Sequence, residues 1–313
     1  MSRHLYGIIV TNHGTAANNR AENEGNITTL QKILWNGQVH TTVSAEAIRF
    51  AIRWYWQQTL GEQALNRRWN DHAAAHTWAD AEFAEWEKFA DDDVLGFMSA
   101  KAAKQETNEA EAGPASRKTR QRGTCDKRRA RLEITRALSL TPFAGEITFS
   151  AASVGATPSA SSTGKHPVPY GTEVHATRYQ YGFALTPETL SSPARALNVI
   201  EALVDLSEVA GNHARFLYDF SPDAVIFRWT DDFAPRMLYT FGLASDGRLT
   251  VPEIIRRVKC NDIDAKELIV GGSIARTDDA KYLKDSGAAV CEGVKQAADE
   301  VKKRMRDELH LGV

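Results

Sequence analysis

At 313 residues and 34.6 kDa the chain can bury one large core or two smaller ones, and its 42% hydrophobic and 25% charged residues are those of an ordinary soluble globular protein. The formal net charge of −2 selects no class of partner, and Cys125, Cys260 and Cys291 are too scattered for a disulfide framework or a CxxC zinc knuckle. The first apolar run, LYGIIV, is too short for a signal peptide, and no later run approaches the about 20 residues of a membrane span, so a cytoplasmic protein is expected.

Residues 5–12 read as a short buried strand, followed by a polar loop rich in turn-forming residues that runs to Thr42. Ser44 then opens a helix to about Leu60, with Ala47, Ile48, Ala51, Ile52 and Tyr55 at helical spacing and Arg49 and Arg53 on a neighbouring face. A Trp-, Ala- and Glu-rich stretch from Gly61 to about Asp93 reads as helical and ends in DDD. Residues 99–116 have almost no large apolar side chains, as a linker would. Between Arg117 and Arg136 nine Arg or Lys face two acids, a local excess of seven positive charges.

RLEITRALSL and EITFSA read as strands. Residues 153–172 form a Ser/Pro/Gly-rich excursion, and EVHATRYQYGFAL resumes a strand pattern, so 146–185 is expected to be two strands joined by a protruding loop. Pro193–Val209 is a patterned helix with Pro at its start. ARFLYDF, AVIFRWT and MLYTFGL follow as strands, then the helix PEIIRRV, the strand ELIVGG and one charged helix from Thr277 to Leu309. The order strand–helix–strand–strand–helix–strand fits an α+β fold with a split βαβ, ferredoxin-like core.

Enzyme signatures fail. STGKH at 162–166 has Ser159 in place of the first P-loop glycine and His166 in place of Ser/Thr; VGGSIA lacks the last glycine of G-x-S-x-G. His72 and His76 are spaced like one helical turn but lack the glutamate of HExxH, and a solvated helical face is expected for them. A long polar loop leading to a helix N-terminus, with cations one turn inside, is instead a place to hold phosphates. Asn12, His13, Asn18, Asn19, Arg20 and Asn26 supply donors in or beside the loop, and the basic run is suited to a nucleic-acid backbone.

ANNRAENEGNITTLQKI, VSAEAIRFAIR, GNHARFLYDFSPDAVIF and IVGGSIA, in that order, resemble the DevR-type (Cas-seven group) backbone subunit of type I CRISPR Cascade effector complexes, over about Leu5 to Ala275. The resemblance implies an RRM-like palm (residues 1–60 and 132–276), a finger insertion (61–131), a thumb hairpin (151–172) and a C-terminal helix (277–313). It implies a non-catalytic subunit that polymerises head-to-tail along crRNA and presents it to target DNA. Its other partners would be further Cascade subunits of the Cas-five, Cas-six, large and small kinds, and no cofactor or metal is expected. The implied RNA contacts are Asn12, His13, Asn18, Asn19, Arg20, Asn26, Lys32, Ser44, Arg49, Arg53, Lys165, His166, Arg178, His213 and Arg215. Target DNA would meet Arg117, Lys118, Arg120, Arg122, Lys127, Arg128, Arg129 and Arg131.

Related type III subunits cut RNA with an aspartate in the loop after the first strand. Here the first aspartate of the chain is Asp71, and that loop carries only Glu22 and Glu24, so no ribonuclease activity is expected. The alternative is an RNA-processing enzyme of the same lineage, for which His13 and His40 would be the acid–base candidates.

Overall fold

A computed structural model describes residues 2–18, 23–100, 125–151, 153 and 169–311. The principal strands are β1 His4–Thr11, β2 Gly14–Ala17, β3 Lys32–Trp35, β4 Gln38–Val43, β5 Ala137–Ser139, β6 Ile147–Ala151, β7 Pro169–Thr177, β8 Tyr179–Leu185, β9 Pro222–Thr230, β10 Leu268–Gly272 and β11 Ala289–Cys291. The α-helices among the described residues are α1 Ala45–Thr59, α2 Ala90–Leu95, α3 Arg195–Asp205, α4 His213–Phe216, α5 Pro252–Lys259, α6 Asp278–Asp285 and α7 Val294–Leu309.

The main sheet has the order β11-β10-β9-β1-β8-β5-β4-β3, antiparallel except for β10 and β11, with Glu133–Ile134 also pairing β8. Every residue of β1 is buried because both faces of the sheet are covered. Leu5 and Ile9 pack with α1, α3 and α7 through Ile48, Ile52, Val199, Leu203, Val301 and Met305. Tyr6, Ile8 and Val10 point the other way, to α5 and α6 through Ile254, Val258 and Leu283. Gly7 leaves room at the centre: a Cβ there would lie 2.2 Å from the Phe183 ring, which packs edge-on with Phe227. The fold is α+β, as expected.

The expected two strands are present as β6 and β7, paired from Ile147↔Glu173 to Ala151↔Pro169, and the expected protruding loop between them lies outside the described residues apart from residue 153. A break at Arg178 divides the second strand into β7 and β8, so that β7 joins a smaller sheet with β2, Asn23–Glu24 and Ile27–Thr28.

Four expectations are corrected. The polar stretch before Ser44 is largely strands: Asn36 and Gly37, both at positive φ, turn β3 back onto β4. Residues 61–93 are not one helix. Arg67–Asn70 and Ala75–Trp78 form a hairpin, and only α2 at the end is α-helical, because Trp69↔His76 cross-strand contacts replace a helical face. ARFLYDF is not a strand and MLYTFGL is not a full one: the first opens in α4 and has no strand residue, and the second keeps only Gly242–Leu243, paired with Leu249–Thr250. The C-terminal helix is two helices, because Gly287 at φ +112° ends the turn after α6 and β11 then pairs parallel to β10. No helix among the described residues is long and apolar enough to cross a membrane.

Candidate functional site

β1 ends where two loops are tied together. Asn12 Nδ2 donates to Asp219 Oδ2 and Ser221 Oγ, each at 3.0 Å, and Thr11 Oγ1 lies 2.9 Å from the buried Tyr218 hydroxyl. Burial pushes that hydroxyl's pKa up to about 12, so it stays protonated and bonds the carbonyls of Asn12 and Thr177. β2 then runs along β7 to Ala17, whose carbonyl accepts from Asn212 N at 3.1 Å. Gly211, at φ +93°, permits this approach: a Cβ would lie 3.0 Å from the Ala17 oxygen.

α1 starts beside this junction. Ser44 Oγ accepts from Ala47 N at 3.2 Å, a cap worth about 1 kcal/mol. Between the end of β2, the start of α1, the 208–213 loop and the 67–78 hairpin lies an open groove of about 610 Å³. Asn18, Ser44 and His213 line it, as do Asp71 and Glu208, over a floor of Tyr179, Tyr218 and Phe220. Neither ring nitrogen of His213 has a hydrogen-bond partner among the described residues. Three stretches distant in sequence, after β1, at the head of α1 and at GNH, thus meet at one surface.

The other expected residues are placed as follows. His13 and Asn26 are exposed, and the Asn26 carbonyl accepts from Gly171 N. Lys32 Nζ lies 2.7 Å from Glu173, which also accepts from Leu30 N. Arg178 is anchored to the Thr11 carbonyl and to Asp223 Oδ2 at 2.5 Å. Arg215 stacks over the Tyr170 ring at 4.8 Å, against the base of the β6–β7 hairpin. Neither Arg49 nor Arg53 lines the groove: Arg53 is mostly buried, 3.7 Å from Asp91, and burial draws its pKa down to about 10 against the pull of that carboxylate. Asn19, Arg20, Lys165 and His166 lie outside the described residues, as do Arg117, Lys118, Arg120 and Arg122. Of the remaining basic run, Lys127 is exposed, Arg128 pairs with Asp93 at 2.5 Å and covers the Trp86 ring, and Arg129 pairs with Glu133. Arg131 is partly buried, and its Nε has no hydrogen-bond partner among the described residues.

Sequence reasoning missed two things. The DDD run does more than close a helix: Asp91 accepts from Asn66 N and Arg67 N, Asp92 from Asn66 Nδ2, and Asp93 from Ser191 N while pairing with Arg195 at 2.7 Å. Asp91 and Asp92 hold the insertion together at Asn66 and Arg67, while Asp91 facing Arg53 of α1 and Asp93 paired with Arg195 of α3 fasten it to the main sheet's helices. The second omission is the hairpin, which brings Asp71 and His76 to the groove wall. His76 is therefore not on a solvated helical face; burial and then Arg67 lower its pKa. His40 is buried with Nδ1 2.8 Å from the Ser139 carbonyl, away from the groove lining.

This fold is shared with chains of CRISPR surveillance complexes. A chain of a "CRISPR RNA-guided surveillance complex, pre-nicking" superposes with a TM-score of 0.58 at 13% identity, covering 96% of this chain and 99% of that one. A chain of another "CRISPR RNA-guided surveillance complex" gives 0.52 at 12% identity, covering 95% and 98%. By sequence, the family model described as CRISPR-associated negative auto-regulator DevR/Csa2 matches residues 9–220. The "CRISPR-associated protein Cas7/Cst2/DevR" of Myxococcus xanthus (strain DK1622) is 50% identical over 316 residues, 97% of this chain and 98% of the relative. The chain is a CRISPR-associated protein. It belongs to the DevR/Csa2 family.

Proposed function

We propose that this chain is a non-catalytic, RNA-binding backbone subunit of a type I CRISPR surveillance complex. In this reading the main sheet and its helices form an RRM-like palm, residues 61–131 a finger and the β6–β7 hairpin the base of a thumb. Copies polymerise head-to-tail along crRNA, with Cas-five, Cas-six, large and small subunits completing the assembly, and the guide is left open to pair with target DNA. The observation that carries this reading is the convergence of the segment after β1, the Ser44 helix start and the GNH loop on one groove. Backbone N–H groups at a helix start and side-chain donors suit phosphates of any sequence, while base pairing supplies specificity. His13 and Arg215 are exposed basic residues near in chain to that convergence, and Lys127 and Arg129 are exposed members of the basic run assigned to DNA.

The test is binding to two unrelated single-stranded RNAs of equal length across a salt series. Equal affinity for both is expected, with a log–log slope of about −0.7 per phosphate contacted. His13→Ala/Arg215→Ala should bind more weakly and with a shallower slope. Absence of RNA binding would sink the proposal.

A second reading, an RNA-cleaving enzyme of the same lineage, draws on one observation: Asp71, remote in sequence from the loop after β1, lines the same groove as Asn18, with Glu208 and His213. Distance along the chain therefore does not by itself remove a carboxylate from the site.

A further inference from the structure

The 67–78 hairpin falls within the stretch expected as the finger insertion, and one of its faces is built to a pattern. Arg67 pairs with Trp78 and Trp69 with His76, so all four side chains share a face. Trp69 and His76 meet edge-on at 5.0 Å, Phe50 of α1 packs edge-on to both at 5.7 and 6.0 Å, and the Arg67 guanidinium lies over the Trp78 ring at 5.5 Å. The face is pinned to α1: Trp69 N donates to Gln57 Oε1 at 2.9 Å while Gln57 Nε2 donates to the Trp69 carbonyl at 3.0 Å. Its indole Nε1 donates to Asp71 Oδ1 at 2.7 Å. Phe50, Trp69 and His76 all turn toward the groove.

Charge decides which part of a nucleotide such a wall would accept. Asp71 and Glu208 sit in the same groove and repel a phosphate, but a carboxylate oxygen accepts from the N–H groups on a base edge. Aromatic faces stack on any base, at about 1–3 kcal/mol each. His213 lines the same groove, with both ring nitrogens buried and without a hydrogen-bond partner among the described residues.

We infer that Phe50, Trp69 and His76 form a stacking platform for an unstacked nucleobase of the single strand whose backbone passes the Ser44 helix start. This rests on the reading of the groove as an RNA site, and assigns the base-contacting role to the finger insertion. The strand is thereby gripped by two chemistries: phosphates at the helix start and the loops, one base against the hairpin.

The test compares a single-stranded uridine oligomer with an abasic oligomer of equal length, on the parent protein and on Trp69→Ala, Trp69→Phe and Phe50→Ala. On the parent the base-bearing strand should bind about five- to a hundred-fold more tightly than the abasic one. Trp69→Ala and Phe50→Ala should lose most of that advantage and Trp69→Phe should keep most of it. All variants should hold the abasic strand as the parent does, which also reports that they fold. Should Trp69→Ala not fold, Phe50→Ala on the outer face of α1 carries the comparison. Equal binding of the two strands by the parent, or an advantage untouched in the alanine variants, overturns the platform and leaves the backbone reading standing; the face would then be open to a protein partner. Displacement of the oligomer by equimolar free uridine monophosphate would make it a mononucleotide site and overturn it as well. Failure to bind either strand overturns the RNA reading itself.

Discussion

The Arg53 guanidinium lies 3.7 Å from the Asp91 carboxylate, in a site where Arg53 is mostly buried and Asp91 almost wholly so. Asp91 already accepts from the backbone N–H groups of Asn66 and Arg67, so the cation completes the neutralisation of a carboxylate that anchors the insertion. Removing one partner of a buried pair leaves the other charge without compensation. Arg53→Ala should therefore lower thermal stability by about 2–4 kcal/mol, while the salt slope of RNA binding by the folded fraction stays that of the parent. A stable variant with a shallower slope would return Arg53 to the phosphate contacts.

Asp92 next door has the opposite balance. Burial, and then the neighbouring Asp91, push its pKa up to about 7, with only Asn66 Nδ2 and the more distant Arg53 working against the rise. The folded state thus holds a proton that the unfolded chain releases near pH 4. Stability from this group is complete below about pH 4 and is lost as pH rises through about 7. Asp92→Asn keeps an oxygen for Asn66 and never ionises. It should match the parent near pH 4 and exceed it at pH 8 by on the order of 1–3 kcal/mol, measured as denaturant midpoints at the two pH values. Equal midpoints at pH 8 would mean that Asp92 is ionised at no cost.

Asp93 ties three chain segments at one point. Burial opposes its charge, but donation from Ser191 and Arg195 more than offsets this and holds its pKa below the ordinary carboxylate range. Arg128 adds a second cation at 2.5 Å. Asp93→Ala would strand both arginines and should cost about 3–5 kcal/mol, read as a lost or strongly lowered unfolding transition. Because the carboxylate is favoured in the fold, the parent should also lose stability as pH falls below about 4. A variant with parental stability would mean that the insertion is held by its apolar contacts alone.

The fold was legible where one periodicity dominates. β1, α1, α3, β9, α5 and β10 follow from apolar spacing, because each buries one face or both against a continuous core. It was illegible where pairing is decided across the chain. NG at Asn36-Gly37 is a strong hairpin signal that the polar composition around it concealed. The 67–78 hairpin looks helical in composition because its Ala and Trp residues do not reveal a cross-strand Trp69↔His76 pair. The groove was half legible: the residue types for phosphates stood out at Asn18, Ser44 and His213, but which arginines reach solvent depends on acids met only in three dimensions. Arg53, Arg128 and Arg178 each carry a charge the sequence offered to nucleic acid, and each is committed to Asp91, Asp93 or Asp223.

Asp71 is the residue on which a catalytic reading turns. Its Oδ1 accepts from the Trp69 indole at 2.7 Å, which fixes the carboxylate against the hairpin face. Among the described residues no group of three or more His, Cys, Asp or Glu side chains is gathered closely enough to hold a metal ion. Asp71, Glu208 and His213 line one groove without being gathered into such a group, and phosphoryl transfer draws on a cation clamped between acids. End-labelled RNA incubated with the protein and magnesium or manganese should therefore stay intact over hours, with parent and Asp71→Asn giving the same pattern. Cleavage by the parent that Asp71→Asn abolishes would overturn the non-catalytic assignment, place the reaction in the groove and make Asp71 its first catalytic residue. Cleavage unchanged in Asp71→Asn but lost in His213→Ala would point to acid–base chemistry at the GNH loop instead.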